Sequence, residues 1–291
     1  MIGRMKKTAE KRGGAVCVIG WPAGHSRSPL IHNYWIKKYG INGEYRREAV
    51  PPDQFAAFIS SLAEKGYVGA NITLPHKEAV LALTEPDSRA RAIGAANTLW
   101  YEGTHLKSTN TDVEGLLGSL DAAVPGWDKG MEKAVVLGAG GAARAVVFGL
   151  VERGVERIHV VNRTVERAEA FTKRFGSRVH AARWTEMTGL FTGAELLINT
   201  TSLGMQGQPE LVVNLKALPD SAVVVDAVYA PLETSLLKAA KARGLRVADG
   251  LGMLLYQAVR GFSLWYGVTP EVTAELRALV EADLKTPAAA K

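Results

Sequence analysis

Residues 134–154, AVVLGAGGAARAVVFGLVERG, decide the fold. Ala134 to Leu137 is a short apolar run of strand character, the glycines make a turn, and the stretch up to Gly154 reads as a helix. Gly138-x-Gly140-x-x-Ala143 therefore follows a strand and opens a helix, the setting in which this spacing carries meaning. Glycines there permit a tight turn and let a pyrophosphate approach the backbone amides at the helix N-terminus. Alone, the spacing also suits an ordinary tight turn; inside a strand–helix–strand unit it points to a dinucleotide.

Working outward toward the C-terminus, RIHVVNRT (157–164) is a second strand, AELLINTT and AVVVDAVY are later strands, and TSLLKAAKARG is another helix. This alternation is a doubly wound pattern. An NAD site places an Asp or Glu at the end of the second strand, on the ribose 2′-hydroxyl. Here that position reads Asn162-Arg163-Thr164, with Arg167 one helical step on. Two guanidiniums and no carboxylate suit a 2′-phosphate, which arginine grips through its fork of donors, so NADP is favoured over a merely solvated basic helix start.

Upstream, the turn-rich AAVPGWDKGMEK (122–133) separates this half from another alternation of strands and helices. AVCVIG is a strand, and SPLIHNYWIKKYG has Ser28 as N-cap, Pro29 at the first helical position and Gly40 as terminator. EYRREAV is the next strand, Phe55, Phe58, Ile59 and Leu62 mark a helix, and GANITL is a strand with a helix expected from Pro75. NTLWYEGTHLKST reads as a hairpin turning near Glu102-Gly103. The segment from Met253 is helical, its first helix apolar with aromatics.

The bulk numbers agree with a two-domain globular chain: 291 residues, 47% hydrophobic and 22% charged. No apolar run is long enough to span a bilayer, and the basic start MIGRMKKTAEKRGG lacks a hydrophobic segment, so it reads as a flexible tail rather than a secretory signal. The single cysteine, Cys17, excludes an internal disulfide and reads as a buried strand residue in a reducing compartment. The formal charge of +6 comes with no aromatic-interleaved basic stripe, which argues against nucleic acid and suits an anionic small molecule.

If the second half holds the nucleotide, the first should hold the substrate. Ser26 and Ser28 flank Arg27 at a helix entry, where unpaired amides attract an anion; Ser28 alone is explained as an N-cap. Asn97 and Asp112 sit beside strand ends and turns, where a turn former and an N-cap are the alternative readings, an ambiguity shared by Asn110 and Thr111. His25 and His32 read as structural, since no third ligand at metal spacing accompanies them. Lys77 is the anomaly: in the first turn of a helix the dipole disfavours a cation, so its placement there points to chemistry.

HSRSP, NITLPHK, IGAANTL, NTD, GAGGAA, NRT, NTTSLGM and GMLLYQA occur in the order and approximate spacing of the shikimate dehydrogenase family, which the chain resembles from about Ala15 to Leu284. The resemblance implies an α/β, two-domain fold. An N-terminal substrate-binding domain (15–118 plus 252–291) would follow a 1–14 tail, and a Rossmann-type NADP-binding domain (119–251) would send the C-terminal helices back onto the first. It implies Lys77 and Asp112 as catalytic pair, Ser26 and Ser28 as carboxylate-binding serines with Thr73 beside them, and Asn97, Asp112 and Gln257 on ring hydroxyls. It further implies Gly138, Ala139, Gly140, Gly141 and Ala142 on the pyrophosphate and Asn162, Arg163, Thr164 and Arg167 on the 2′-phosphate. Thr200, Ser202, Val228, Tyr229, Gly250 and Met253 would lie near the nicotinamide, its ribose or the cleft. Ser235, where the family commonly has Thr-Pro, and Ser108-Thr109, where it often has glycine, depart from the pattern away from the chemistry.

The implied activity is reversible NADPH-dependent reduction of 3-dehydroshikimate to shikimate by a cytoplasmic monomer or homodimer without a metal, nucleic-acid or membrane partner. A quinate/shikimate dehydrogenase using NAD or NADP is the near alternative, although NRTVER lacks an acidic residue for the ribose. A methylenetetrahydrofolate dehydrogenase fits the paired serines and the Asn/Asp set poorly. A non-enzymatic NADP-sensing protein is opposed by the presence of both Lys77 and Asp112.

Overall fold

A computed structural model describes residues 13–285. Most of the expected N-terminal tail, and all of TPAAAK (286–291), which the sequence reads as its counterpart at the other end, lie outside the described residues; Gly14, placed in the N-terminal tail, instead opens the first strand. The first half lays down β1 (Gly14–Gly20), α1 (Ser28–Tyr39), β2 (Gly43–Ala49), α2 (Phe55–Ser60), β3 (Tyr67–Ile72), β4 (Glu85–Pro86), α3 (Ser88–Ile93), β5 (Thr98–Glu102), β6 (His105–Thr109) and α4 (Asp112–Ala123). The second continues with β7 (Lys133–Leu137), α5 (Gly141–Glu152), β8 (Arg157–Asn162), α6 (Val165–Phe175), β9 (Val179–Arg183) and α7 (Met187–Leu190). It closes with β10 (Leu196–Asn199), β11 (Val223–Asp226), α8 (Ser235–Ala242), β12 (Arg246–Ala248), α9 (Gly250–Tyr266) and α10 (Ala274–Lys285).

The second sheet is parallel throughout, in the order β9-β8-β7-β10-β11-β12. That is the 3-2-1-4-5-6 arrangement of a dinucleotide-binding fold, with its switch point between β7 and β10. Both faces are covered, which is why Val135, Val136, Leu196, Leu197, Val223 and Val224 run on without polar alternation. The first sheet, β2-β1-β3-β5-β6-β4, is mixed: β2, β1 and β3 are parallel, and the hairpin β5–β6 enters antiparallel to β3. Gly103, with φ +62°, turns that hairpin where the sequence placed it.

After β12 the chain leaves the second sheet and α9 packs on the first, burying Leu255, Ala258, Phe262 and Trp265 against Val16, Val18 and Trp100. Trp265 Nε1 donates to the Leu99 carbonyl at 2.7 Å. Gly69 of β3 admits that indole, because a Cβ there would lie 2.3 Å from Nε1. α4 runs through residues 118 and 119, the expected domain boundary, and packs along α9, so the cleft between the sheets is floored by continuous helices. No helix among the described residues is long and apolar enough to cross a membrane.

Three local expectations change. The segment after Pro75 is a tight turn leading into a 3-10 helix, Ala79–Leu83, not an α-helix. The Lys77 carbonyl accepts from Ala96 N–H at 2.8 Å and Leu81 N–H goes to Glu78, so the i to i+4 pattern does not extend beyond the one bond from Val80 N–H to the His76 carbonyl. Ser28 is the first residue of α1, and its N–H is taken by Ser26 Oγ at 3.3 Å. Asp112 likewise begins α4, with its N–H on Asn110 Oδ1 at 3.0 Å. In both helices a side chain two residues upstream satisfies the first amide, which leaves Ser28 and Asp112 available to the cleft.

Candidate active site

The residues expected to meet the substrate converge on one cavity of about 240 Å³ between the two sheets. Ser26, Ser28, Thr73, Lys77, Asn97, Asp112, Tyr229 and Gln257 all line it, with Ala142 from the glycine turn and Gly250 and Met253 from α9. Ser26, Ser28, Thr73, Lys77, Asp112 and Tyr229 come from segments that follow the C-terminal ends of strands, whereas Asn97 reaches the same edge just before β5, which runs antiparallel to β3, and Gln257 projects from within α9. Thr73 leaves β3 with its N–H on the Ile19 carbonyl, which ties it to the end of β1.

Lys77 Nζ donates to Asp112 Oδ2 at 2.6 Å, and Asn97 Nδ2 donates to Asp112 Oδ1 at 2.8 Å. Both side chains of the ion pair are mostly buried, 19% and 12% exposed, so the attraction is less screened than at a surface. With the α-helix after Pro75 gone, no helix dipole opposes the ammonium; its placement reflects the carboxylate opposite. Asn97 is itself fixed: its Oδ1 accepts from Thr111 N–H at 2.7 Å and from the Thr111 and Thr98 hydroxyls at 3.1 Å.

Sequence reasoning missed Asn71, which is buried and lines the same cavity. Its Nδ2 donates to the Asn97 carbonyl and Thr98 Oγ1, both at 3.0 Å, and its Oδ1 accepts from Tyr45 at 2.6 Å. The signal was present: an amide inside the apolar GANITL strand must find buried partners. His25 also lines the cavity rather than being purely structural, whereas His32 is fully buried among Trp35, Tyr45, Phe262 and Trp265. Burial pushes the His32 imidazole down to about 3, with Asn71 opposing, and holds it neutral. Burial likewise raises the Tyr229 phenol, against the pull of Arg27.

On the nucleotide side, Gly138 has φ +104°, and a Cβ there would lie 2.8 Å from Thr200 Oγ1, so β7 and β10 end in contact. Gly140 and Gly141 face open space, and α5 starts without any side-chain cap. An anion can therefore reach its amides, which fits a dinucleotide pyrophosphate. Arg163 and Arg167 are exposed and, among the described residues, pair with no carboxylate. Asn162 Nδ2 is turned to the Thr164 carbonyl at 2.8 Å, bracing that loop. Thr200 and exposed Ser202 stand outside the substrate cavity, as does Val228, whose side chain is buried. The Val228 N–H instead serves Asp226 Oδ1 at 3.0 Å, in a buried network with Asn199 and Thr234 that binds the β10 and β11 loops together. Burial raises the Asp226 carboxyl, against those three hydrogen bonds. Among the described residues no cluster of His, Cys, Asp or Glu could hold a metal ion.

Three family models match the chain: a shikimate dehydrogenase substrate binding domain over residues 18–99, a shikimate/quinate 5-dehydrogenase over 124–226, and a shikimate 5′-dehydrogenase C-terminal domain over 250–279. The shikimate dehydrogenase (NADP(+)) of Rhodopseudomonas palustris strain TIE-1 is 66% identical over 93% of this chain and 97% of its own length. A solved structure of the Thermus thermophilus shikimate 5-dehydrogenase, in complex with NADP(H) and shikimate, superposes with TM-score 0.79 at 35% identity, over 93% of this chain and 98% of that one. Quinate dehydrogenase from Corynebacterium glutamicum in complex with NAD superposes with TM-score 0.86 at 30% identity, over 93% and 99%. The site geometry, the three matched segments and these full-length likenesses agree: the chain belongs to the shikimate dehydrogenase family.

Proposed function

We propose that the protein catalyses the reversible NADPH-dependent reduction of 3-dehydroshikimate to shikimate, and the observation that carries this is the Lys77–Asp112–Asn97 constellation facing the glycine turn across one cavity. Gly138–Ala142 together with Asn162, Arg163, Thr164 and Arg167 would hold NADPH, which when bound would supply the hydride. Ser26 and Ser28 receive the substrate carboxylate at the entry of α1, and Asn97, Asp112 and Gln257 orient the ring hydroxyls. Lys77, as ammonium, donates its proton to the oxygen at C3 as negative charge develops there; in the oxidative direction the neutral amine takes it back. Asp112 aims the ammonium and stabilises its charge between turnovers.

Cys17 is buried and its thiol is raised above the ordinary range by burial, which suits a structural cysteine. The enzyme is read as a cytoplasmic monomer or homodimer. The test is the absorbance change at 340 nm with shikimate or quinate, each with NADP⁺ or NAD⁺. Fast turnover with shikimate and NADP⁺ is expected. Preference for quinate and NAD⁺ would move the chain to the quinate branch, and tight NADP binding without any turnover would replace the enzyme by a nucleotide sensor.

A further inference from the structure

The loop that carries Ser26 and Ser28 is held from outside by a side chain that has no place in the cavity. Arg47, near the end of β2, is exposed, and its Nε and Nη2 both donate to the Ser26 carbonyl oxygen, at 3.3 and 2.9 Å. Two donors converging on one carbonyl fix the tilt of the Ser26–Arg27 peptide as well as its position. Inside the loop, Ser26 N–H is spent on the Ala23 carbonyl and Ser26 Oγ accepts from Ser28 N–H. The hydroxyl hydrogen of Ser26 therefore stays available to an incoming acceptor. On the far side Arg27 meets Asp283 of α10, so that guanidinium is already neutralised. Arg47 differs: among the described residues no carboxylate pairs with it, and its charge sits directly on the Ser26 carbonyl, in the peptide that leads through Arg27 to Ser28.

We infer that Arg47 is a positioning residue for the substrate anion: it holds the Ser26–Ser28 loop in its receiving conformation and adds an uncancelled positive charge to that end of the cavity. This rests on reading the two serines as the carboxylate site. Steady-state kinetics of Arg47→Ala and Arg47→Lys, with shikimate and with its neutral methyl ester, test it. For shikimate, Arg47→Ala is expected to raise KM roughly tenfold, with kcat within about twofold and KM for NADP⁺ unchanged, as for loss of a charged donor's hydrogen bonds to the loop carbonyl. The ester should lose no more than about threefold, and Arg47→Lys should recover part of the shikimate KM, since it keeps the charge without the fork. An unchanged shikimate KM in Arg47→Ala, while Ser26→Ala and Ser28→Ala still raise it, overturns the role of Arg47 alone. Unchanged KM in the serine variants overturns the carboxylate site beneath it. Equal losses for acid and ester, with a lowered Tm and a raised KM for NADP⁺, would make Arg47 a general brace of the loop and overturn the inference as well.

Discussion

The two ends of the cleft are built on opposite terms. At the substrate end the polar groups are already matched to one another: Lys77 to Asp112, Asp112 to Asn97, Asn97 to Thr111 and Thr98, Asn71 to Tyr45. At the nucleotide end Arg163 and Arg167 stand in solvent, and the amides of α5 start without a side-chain cap. The difference follows from what each end must do. A reacting carbon tolerates little misplacement, so its proton donor and hydroxyl ligands are braced before the substrate arrives. A phosphate brings its own charge and accepts several donor geometries, so exposed guanidinium forks suffice until it binds.

The hardest test of this contrast is at the braced end. Lys77→Ala is expected to lower kcat about a thousandfold, within the usual range for a lost general acid–base group, while shikimate Kd by calorimetry stays within about threefold. A variant that keeps nearly wild-type kcat would show that the braced pair does no proton chemistry. At the open end, Arg163→Ala with Arg167→Ala should raise KM for NADP⁺ about a hundredfold, from two lost charged hydrogen-bonding groups, and leave KM for NAD⁺ nearly unchanged. Equal losses for both cofactors would mean that the arginines hold the adenosine in general rather than its 2′-phosphate.

The open end was the more legible in sequence, and the reason is physical. Its parts are local: the β7 strand, the turn at Gly138 and the start of α5 occupy consecutive residues, and so do Asn162, Arg163 and Thr164. The braced end is assembled from residues far apart in the chain, so local reading could name Lys77 and Asp112 singly, and only the family resemblance joined them as a pair. A local inference made there, a helix dipole acting on Lys77, failed because the Ala96 amide takes the carbonyl that a helix needs, and the N-cap readings of Ser28 and Asp112 failed because each is the first residue of its helix. Asn71 went unnoticed because its partners Tyr45 and Thr98 come from other strands. Asn71→Leu keeps the volume and removes the bracing. It should destabilise by about 2–3 kcal/mol in urea unfolding, since the Tyr45 hydroxyl stays buried without its acceptor. It should also raise the shikimate KM, and a loss of stability with unchanged kinetics would confine Asn71 to the core.

The mildest effect tests how dry the bracing is. α1 brings Ser28 to the cavity and, one turn later, places His32 beneath it, parallel to the Tyr45 ring at 4.4 Å. Neither ring nitrogen of His32 makes a hydrogen bond of good geometry among the described residues; Asn71 is near enough to favour the charged ring, but burial outweighs it and lowers the imidazole from 6.5 to about 3. The unfolded chain therefore takes up a proton as pH falls through about 6.5 while the folded chain does not. Stability attached to the neutral ring is complete above about pH 6.5 and declines below it, approaching about 1.4 kcal/mol per pH unit until the folded ring itself protonates. His32→Phe keeps a flat ring among Trp35, Tyr45 and Phe262 and cannot titrate. Its stability at pH 7.5 should lie within about 1.5 kcal/mol of the parent, the usual range for a swap that keeps core volume. Between pH 6.5 and 5 its unfolding free energy should fall less steeply, by about 1 kcal/mol per unit. Parallel slopes would mean that the proton reaches His32 in the folded state, and that water enters the layer on which Tyr45 and Asn71 hold the substrate end.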